Sequence, residues 1–445
     1  MAQGKFTQGS IIKHVMTMSA TNALGISMLF LVDLVDIYFI SLLENPSLTA
    51  AIGYASPVLF FTISLSIALV IVNSAIVARK LGQQKRIIAR QFISLITLYA
   101  FTLTSVIAFL LYYFAPQILQ FIGAQGEELK QATLYLHIIL PSMPILAVAL
   151  QMGATLRSMG HAKQAMFATL GAGLINAALD PILIFYFKLD LQGAAIASVA
   201  ARCTLLVIGL YYVQFKYRMI ATINSAFIRS HFLRISQVAL PAILSQITTP
   251  ISNFYVTYEI AKFGSQYMAG WAIIGRIVPV VFVMMFALSG AIGPIISQNY
   301  GAHNFTRVRE VLNQSMKFIT SYTLVVALFM SMGQEIIVMA FKATDETASL
   351  IRIFCQNIPI TFIFTGMMLI TMTLLNNLGH AKYATLLTLL KLTLGTIPCV
   401  IIGSYYFHAP GVIYGQAAAN IIFGVIALTL SNKRISKLSA SPSIT

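Results

Sequence analysis

The sequence predicts an all-α polytopic membrane protein with twelve membrane-spanning helices. Of its 445 residues 58% are hydrophobic and 9% are charged, whereas a soluble protein carries about 25% charged residues. Apolar runs of about 20 residues recur between short polar loops, and they are too continuous for the alternating strands of a barrel. The net charge of +16 resides mainly in these loops, which indicates membrane topology rather than a nucleic-acid partner.

The apolar runs define twelve predicted spans, numbered here 1 to 12 in chain order. Their limits are 15–43, 54–78, 91–114, 132–156, 164–187, 192–215, 236–262, 267–297, 313–334, 350–375, 383–407 and 410–431.

The loops between the spans predict the orientation. Most of the basic residues lie in one set of loops, whereas the opposite set holds Lys130, Lys188, Lys262, Lys342 and Arg352. Because Lys and Arg accumulate on the cytoplasmic side, both termini are expected in the cytoplasm. We therefore expect a multi-pass protein of the cell inner (plasma) membrane.

The chain contains an internal repeat. LRSMGHAKQAMFATL at 156–170 recurs as LNNLGHAKYATLLTL at 375–389, and at the same offset Gly82 and Arg90 recur as Gly301 and Arg309. Each half holds six spans, so both halves enter the membrane in the same orientation. We predict two parallel six-helix repeats related by a pseudo-twofold axis along the membrane normal. The predicted division is an N-terminal lobe at 1–216, a cytoplasmic linker at 217–235 and a C-terminal lobe at 236–445.

Acidic residues inside spans mark the candidate site. A carboxylate at the centre of a span costs about 2.5–3.5 kcal/mol on insertion scales. Asp36 and Asp180 each lie seven residues before the outer end of their span, roughly 10 Å deep. Asn176 lies one helical turn deeper than Asp180, and Ser198 lies six residues into span 6. If spans 1, 5 and 6 are neighbours, these four side chains form one polar layer, and the small residues of GAAIASVAA at 193–201 allow span 6 to approach closely.

The repeat does not duplicate this layer. At the offset of the repeat, the counterparts of Asp36, Asn176, Asp180 and Ser198 are Tyr255, Gly395, Cys399 and Ala417. None of these is acidic. The polar layer is therefore predicted to serve a function that the scaffold itself does not need.

Three segments carry a resemblance to a known family. They are LVDLVDIYFISLL in span 1, INAALDPILIF in span 5, and IGRIVPVVFVMMFALSGAIGPIISQNYGAHNFTRVRE across span 8 and the following loop. With these segments nearly the whole chain resembles the MATE family of multidrug and toxic compound extrusion transporters, nearest the DinF branch. The resemblance implies a secondary transporter, not an enzyme with catalytic residues, that exports lipophilic cations in exchange for H⁺ or Na⁺. Its cation site would comprise Asp36, Asn176, Asp180 and Ser198. Span 1 has no proline, which departs from family mechanisms that use a proline kink there.

The sequence is compatible with either H⁺ or Na⁺ as the coupling ion. Two carboxylates in a low dielectric do not both ionise cheaply, so one is expected to take up a proton. Alternatively, the carboxylate, amide and hydroxyl oxygens of the four residues make a hard-oxygen site for Na⁺. No other cofactor is expected. The expected partners are small lipophilic cations and the lipid bilayer, with no nucleic acid, and the chain is expected to act as a monomer.

Each of these candidate residues also has a structural interpretation that involves no role in transport. Asp180 precedes Pro181 and could cap a broken helix, and Asp36 could be a packing or snorkelling residue. Asp33 is an accessory candidate that could instead pair with a nearby base, and Glu259 could be a solvated flank. Arg276 is either a structural counter-ion or part of a substrate path, and Tyr255 completes the accessory candidates.

Two other functions compete with antiport. A flippase for lipid-linked oligosaccharides would need a large cationic cavity, and few bases lie inside these spans. An intramembrane aspartyl protease with Asp36 and Asp180 as its dyad would carry GxGD and YD motifs, which do not surround these aspartates.

Overall fold

The computed structural model describes residues 4–43 and 45–440. Every regular element in this part of the chain is helical, as the apolar runs predict. The side chain of Asp33, an accessory candidate, lies outside the described residues.

The helices of the first six spans follow the predicted order. Spans 2 and 4 each contain a π or 3₁₀ segment between α-helical segments, and spans 5 and 6 each end in a π segment. The helical segments are Ile11–Ser41 for span 1; Pro46–Asn73, Ser74–Ala78 and Arg79–Gly82 for span 2; Arg86–Ile122 for span 3; Gly126–Ile139, Leu140–Ser142 and Met143–Ser158 for span 4; Ala162–Pro181 and Ile182–Tyr186 for span 5; and Asp190–Leu210 and Tyr211–Lys216 for span 6.

The second six spans are similar in length. Their helical segments are Ser225–Ala261 for span 7; Ser265–Val281 and Val283–Gly301 for span 8; Phe305–Ala340 for span 9; Asp345–Asn357, Pro359–Thr361 and Phe362–Asn377 for span 10; Ala381–Leu390, Lys391–Thr396 and the first part of Ile397–Ala440 for span 11; and the remainder of Ile397–Ala440 for span 12.

A count by length and hydropathy alone gives fewer spans than the sequence predicts. Nine helices within the described ranges are long and apolar enough to cross a membrane, and ten if the pair bent by 46° in span 8 is one span. Spans 11 and 12 are merged in that count, although His408 breaks the helix with a φ of 54° and a ψ of −139°. The helix Ser225–Ala261 of span 7 is not counted, although its 37 residues extend roughly 55 Å. Separating spans 11 and 12 and adding span 7 gives the twelve helices of the predicted fold.

Contacts between Cα atoms divide the chain into two units. One contains residues 1–5 and 24–239, and the other contains residues 6–23 and 240–445. The first part of span 1 thus groups with the second unit, and residues 217–235 group with the first. Ser225–Ala261 is one continuous helix, so it includes the last part of the predicted linker.

The two units repeat the same loop geometry at the offset of the sequence repeat. Eight of the fourteen left-handed positions among the described residues form four pairs at this offset, and the φ angles are similar in three of the four pairs. They are Gln84 (58°) with His303 (57°), Gly123 (108°) with Lys342 (48°), Gly126 (55°) with Asp345 (47°), and Gly160 (81°) with Gly379 (86°). Homologous turns therefore support the sequence repeat well beyond the LRSMGHAK and LNNLGHAK motifs.

Spans 11 and 12 pack backbone against backbone at three glycines. A Cβ on Gly403 or Gly411 would collide with the carbonyl group of the other residue. A Cβ on Gly415 would meet the Cys399 carbonyl and lie 2.8 Å from the Cα of Val400. Small residues let transmembrane helices approach this closely.

We predict that Gly415→Ala destabilises the folded protein by about 1–3 kcal/mol, since the added methyl group must push the two helices apart. Gly275→Ala is the matched control, because a Cβ there meets no atom of the described residues within 4 Å. Thermal unfolding in detergent measures both variants. Equal midpoints for Gly415→Ala and Gly275→Ala would contradict this account of the contact.

His161 follows the first glycine of the repeated motif and is partly buried. Its ring stacks on Tyr217 with 4.2 Å between the centroids. Burial, followed by the positive charges of Lys5 and Lys216, lowers the pKa of His161. The folded state therefore favours the neutral imidazole.

The lowered pKa predicts a pH dependence of stability. Above about pH 6.5 His161 is neutral in both the folded and the unfolded chain, so it does not affect the free energy of unfolding. Between the unfolded and the folded pKa the unfolded chain binds more protons, which destabilises the folded state. Stability then falls as the pH drops through the folded pKa. We expect His161→Gln to weaken this acid-side loss in a series of thermal melts from neutral to mildly acidic pH. An identical pH profile for the wild type and His161→Gln would show that the imidazole is not responsible.

Candidate functional site

Spans 1 and 5 pack along a row of small residues in the first unit. A Cβ on Gly25 would lie 3.7 Å from Oγ1 of Thr169. One level further along, a Cβ on Gly173 would lie 2.5 Å from Cε of Met28 and 3.2 Å from Cγ2 of Val32. The helices are thus direct neighbours, as the depth argument required.

The same contact continues to the two aspartates. Asp36 lies four residues after Val32, and Asp180 lies seven residues after Gly173, so each stays on its helix's contact face. The side chains of Asp36 and Asp180 interact directly. The structure therefore brings together the two acids that the sequence singled out.

Apart from the interaction with Asp36, the buried side-chain atoms of Asp180 and Asn176 have no hydrogen-bond partner among the described residues. Asp180 and Asn176 are both 0% exposed. Within the described ranges no N–H or O–H group donates to either oxygen of Asp180, and the Asn176 amide makes no side-chain hydrogen bond. Buried polar groups are nearly always bonded, so this arrangement is suited to a bound proton or cation.

The helix of span 5 does not break beside Asp180. Ala162–Pro181 runs directly into a π-helical segment at Ile182–Tyr186. Because no described backbone N–H donates to its carboxylate, Asp180 does not serve as a helix cap. The alternative role suggested by Pro181 thus lacks support in the described structure.

Span 6 approaches span 5 near the same level. A Cβ on Gly193 would lie 2.9 Å from the carbonyl carbon of Leu183, so the small-residue motif permits the close approach that we expected. Ser198 lies five residues further along and is partly exposed. Its inclusion in the cation site remains a prediction.

The accessory candidates have separate environments. Glu259 is 6% exposed and accepts a 2.7 Å bond from Nζ of Lys262, and its side chain also bonds with that of Tyr255. Glu259 and Tyr255 thus belong to a local cluster at the end of span 7. Arg276 is exposed and forms no ion pair with any described acid.

A second buried polar cluster joins spans 2 and 4. The Asn73 amide donates to Oγ1 of Thr155 at 3.0 Å, and the Ser158 hydroxyl donates to Oδ1 of Asn73 at 3.5 Å. Gln151 is 0% exposed, and its amide finds no partner in the described chain. Our sequence reasoning, which followed acids, missed this cluster, although amides inside apolar runs are a readable signal.

Acids and amides buried among membrane-spanning helices are typical of multi-pass membrane transporters. The family model MatE matches residues 23–182 and 241–401, which is most of the chain and both halves of the repeat. The protein therefore belongs to the MATE family, whose members are secondary transporters and not enzymes. The resemblance inferred from spans 1, 5 and 8 is confirmed for the family, and the DinF branch stays a prediction.

Curated relatives match over almost the full length. A protein of Shewanella oneidensis named FAD transporter is 26% identical over 426 residues, covering 94% of each chain. The multidrug export protein MepA of Staphylococcus haemolyticus is 24% identical over 437 residues, covering 95% of this chain and 94% of that protein.

Solved structures show the same fold. The Vibrio cholerae MATE transporter VcmN in its bent form matches with a TM-score of 0.91 at 24% identity, covering 96% of this chain and 98% of that chain. A transporter of the MOP superfamily from Pyrococcus furiosus matches with a TM-score of 0.91 at 22% identity, covering 99% of each chain. The predicted twelve-helix, two-lobe fold is confirmed by these likenesses.

We predict that Gly173→Val impairs transport without removing any polar group. The branched side chain would overlap Met28 and Val32 and wedge spans 1 and 5 apart beneath the two aspartates. A displacement of about 1 Å at a functional site can lower the rate about 100-fold. Dye efflux from cells with matched amounts of membrane-inserted protein provides the measurement.

Gly53→Val is the control for this substitution, because a Cβ at Gly53 meets no described atom within 4 Å. Wild-type efflux by Gly173→Val would mean that the helix contact does not position the site.

Proposed function

We propose that the protein is an antiporter that exports lipophilic cations, driven by inward movement of H⁺ or Na⁺. The observation that carries the proposal is the contact between Asp36 and Asp180 with Asn176 beside it, buried in the first unit. Two neighbouring carboxylates repel each other unless a positive charge intervenes. A proton or a sodium ion supplies that charge.

The side chains of this candidate site can bind either a proton or Na⁺. A proton bound to one carboxylate would donate to the other, which supplies the donor that the oxygens of Asp180 otherwise lack. Na⁺ would instead use oxygens of Asp36, Asn176 and Asp180, with Ser198 as a fourth ligand. No three His, Cys, Asp or Glu side chains of the described residues gather as a metal site, so the candidate site depends on its amide and hydroxyl oxygens as well as its two acids.

In this proposal ion binding biases an alternating-access cycle between the two lobes. The ion neutralises the pair when the site is open to the outside, and its release to the cytoplasm restores the repulsion. Alternating access in duplicated transporters uses a site that each side reaches in turn. The clustering of basic residues supports an orientation with both termini in the cytoplasm.

The relatives support export and broaden the substrates to be tested. The MepA proteins are named multidrug export proteins, which favours lipophilic drugs over lipid-linked oligosaccharides. Membership in a transporter family removes the protease alternative. The relative named FAD transporter makes flavin dinucleotide a second substrate to assay beside cationic dyes.

We expect Asp36→Asn and Asp180→Asn each to abolish dye efflux while the protein stays folded in the membrane. An amide cannot bind a proton at neutral pH and removes the negative charge that Na⁺ requires. Cys399→Ser is the matched control, because Cys399 is the repeat counterpart of Asp180 and should be dispensable. Normal efflux by both aspartate variants would remove the pair from the mechanism.

Proteoliposomes with imposed gradients identify the ion. Efflux stimulated by a pH gradient alone indicates H⁺, and efflux stimulated by a Na⁺ gradient alone indicates Na⁺. Either response should vanish in Asp180→Asn and persist in Cys399→Ser. If neither gradient stimulates transport of dye or flavin dinucleotide, the antiporter proposal is wrong.

A further inference from the structure

The first unit carries a group of basic residues where span 2 ends and the helix of span 7 begins. This cationic cluster consists of Arg79, Lys80, Lys85 and Arg234. The Lys80 ammonium experiences the positive charges of the other three residues, although they come from two separate parts of the chain. Its Nζ donates to the neutral Oε1 of Gln83 at 3.1 Å.

Among the described residues of the first unit, no acidic residue lies at the end of the spans where the cationic cluster is. Asp36 and Asp180 are inside spans. The remaining described acids are Glu127 and Glu128 before span 4 and Asp190 before span 6, on the opposite side of the membrane. The described part of the first unit therefore places no carboxylate at this end of its spans.

The second half of the repeat forms the same turn without these charges. In the second half, the counterparts of Arg79, Lys80 and Lys85 are Gln298, Asn299 and Asn304. The corresponding turn has the same geometry, because Lys85 N donates to Lys80 O at 3.0 Å and Asn304 N donates to Asn299 O at 2.9 Å. In the second unit Gln298 and Asn299 bond instead to the backbone of Phe6.

Apolar side chains are exposed directly beside the cluster. Phe232 is 46% exposed and Leu233 is 70% exposed, next to the exposed Arg234. Their helix is roughly 55 Å long, whereas the hydrocarbon core is about 30 Å thick, so its first turns reach the headgroup region. Aromatic and aliphatic side chains beside arginine are typical of a surface that meets lipid.

We propose that the cationic cluster binds the phosphate groups of anionic phospholipids in the adjacent leaflet. Clusters of Lys and Arg at the ends of spans attract acidic headgroups. The lipid phosphates offset the positive charge of the cationic cluster, while Phe232 and Leu233 contact the acyl chains. This site is separate from the aspartate pair and does not depend on the antiport proposal.

Binding of defined lipids to the purified full-length protein in a neutral detergent tests the proposal. Native mass spectrometry would compare phosphatidylglycerol with phosphatidylcholine. The main variant is Arg79→Gln/Lys80→Asn/Lys85→Asn, which introduces the residues that the second unit already has at these positions. The control variant is Lys130→Gln/Lys188→Gln/Lys342→Gln, which removes three exposed lysines from the opposite side.

We expect the wild type and the control variant to retain phosphatidylglycerol in preference to phosphatidylcholine. The main variant should bind phosphatidylglycerol about 100-fold more weakly, since each cation near the surface contributes about fivefold. If the main variant does not fold, Arg234→Gln at an exposed helix position should still show about a fivefold loss. Soluble glycerol phosphate should not displace the lipid at equal concentration.

Equal phosphatidylglycerol binding by the wild type and the main variant, or an equal loss in the control variant, would overturn the proposal. Equal affinity for phosphatidylcholine would show that charge does not select the lipid. Displacement by glycerol phosphate would assign the cluster to a soluble anion rather than to the membrane.

Discussion

Two carboxyl groups in contact inside a membrane are the constraint on which this molecule depends. Asp180 is fully buried, touches Asp36 and receives no hydrogen bond from a described donor. Taking even one unpaired charge out of water costs several kcal/mol. The surrounding helices keep the pair together through the packing of Gly25 on Thr169 and of Gly173 on Met28 and Val32. The scaffold thus holds an arrangement that a small cation can stabilise.

The two halves of the chain share their turns but differ in their charged residues. Both halves share the glycine-histidine loops and the left-handed turns, because each half must reverse its helices at the same places. The aspartates and the cationic cluster occur in the first half alone, where the second has Tyr255, Cys399 and neutral amides. Because the two halves share these turns but differ in these charges, we propose that the charges serve binding rather than folding. In our proposals the cationic cluster anchors the first unit to lipid, while the buried acids respond to the ion gradient.

Hydropathy and the repeat were sufficient to predict the all-helical class, twelve spans and two six-span repeats. A chain that crosses lipid must satisfy its own backbone hydrogen bonds, so each apolar run long enough to cross is a helix. The depth of Asp36 and Asp180 along their spans predicted that the two acids lie at one level, whereas the contact between spans 1 and 5 was a condition of that prediction. The π segment after Pro181 and the backbone contact at Gly415 could not be predicted, since both depend on which helix faces which. Gln151 was missed because a buried amide has no charge to mark it. Ser198 illustrates the remaining limit, because depth along a span does not determine the direction of a small side chain.

The central claim is that Asp36 and Asp180 together hold one coupling cation. Potentiometric titration of the purified protein with and without Na⁺, compared with Asp180→Asn, tests it most directly. The account predicts that the wild type binds one proton more per chain than the variant near neutral pH, or that it alone binds Na⁺ at saturation. Identical proton and Na⁺ binding by the two proteins would contradict it.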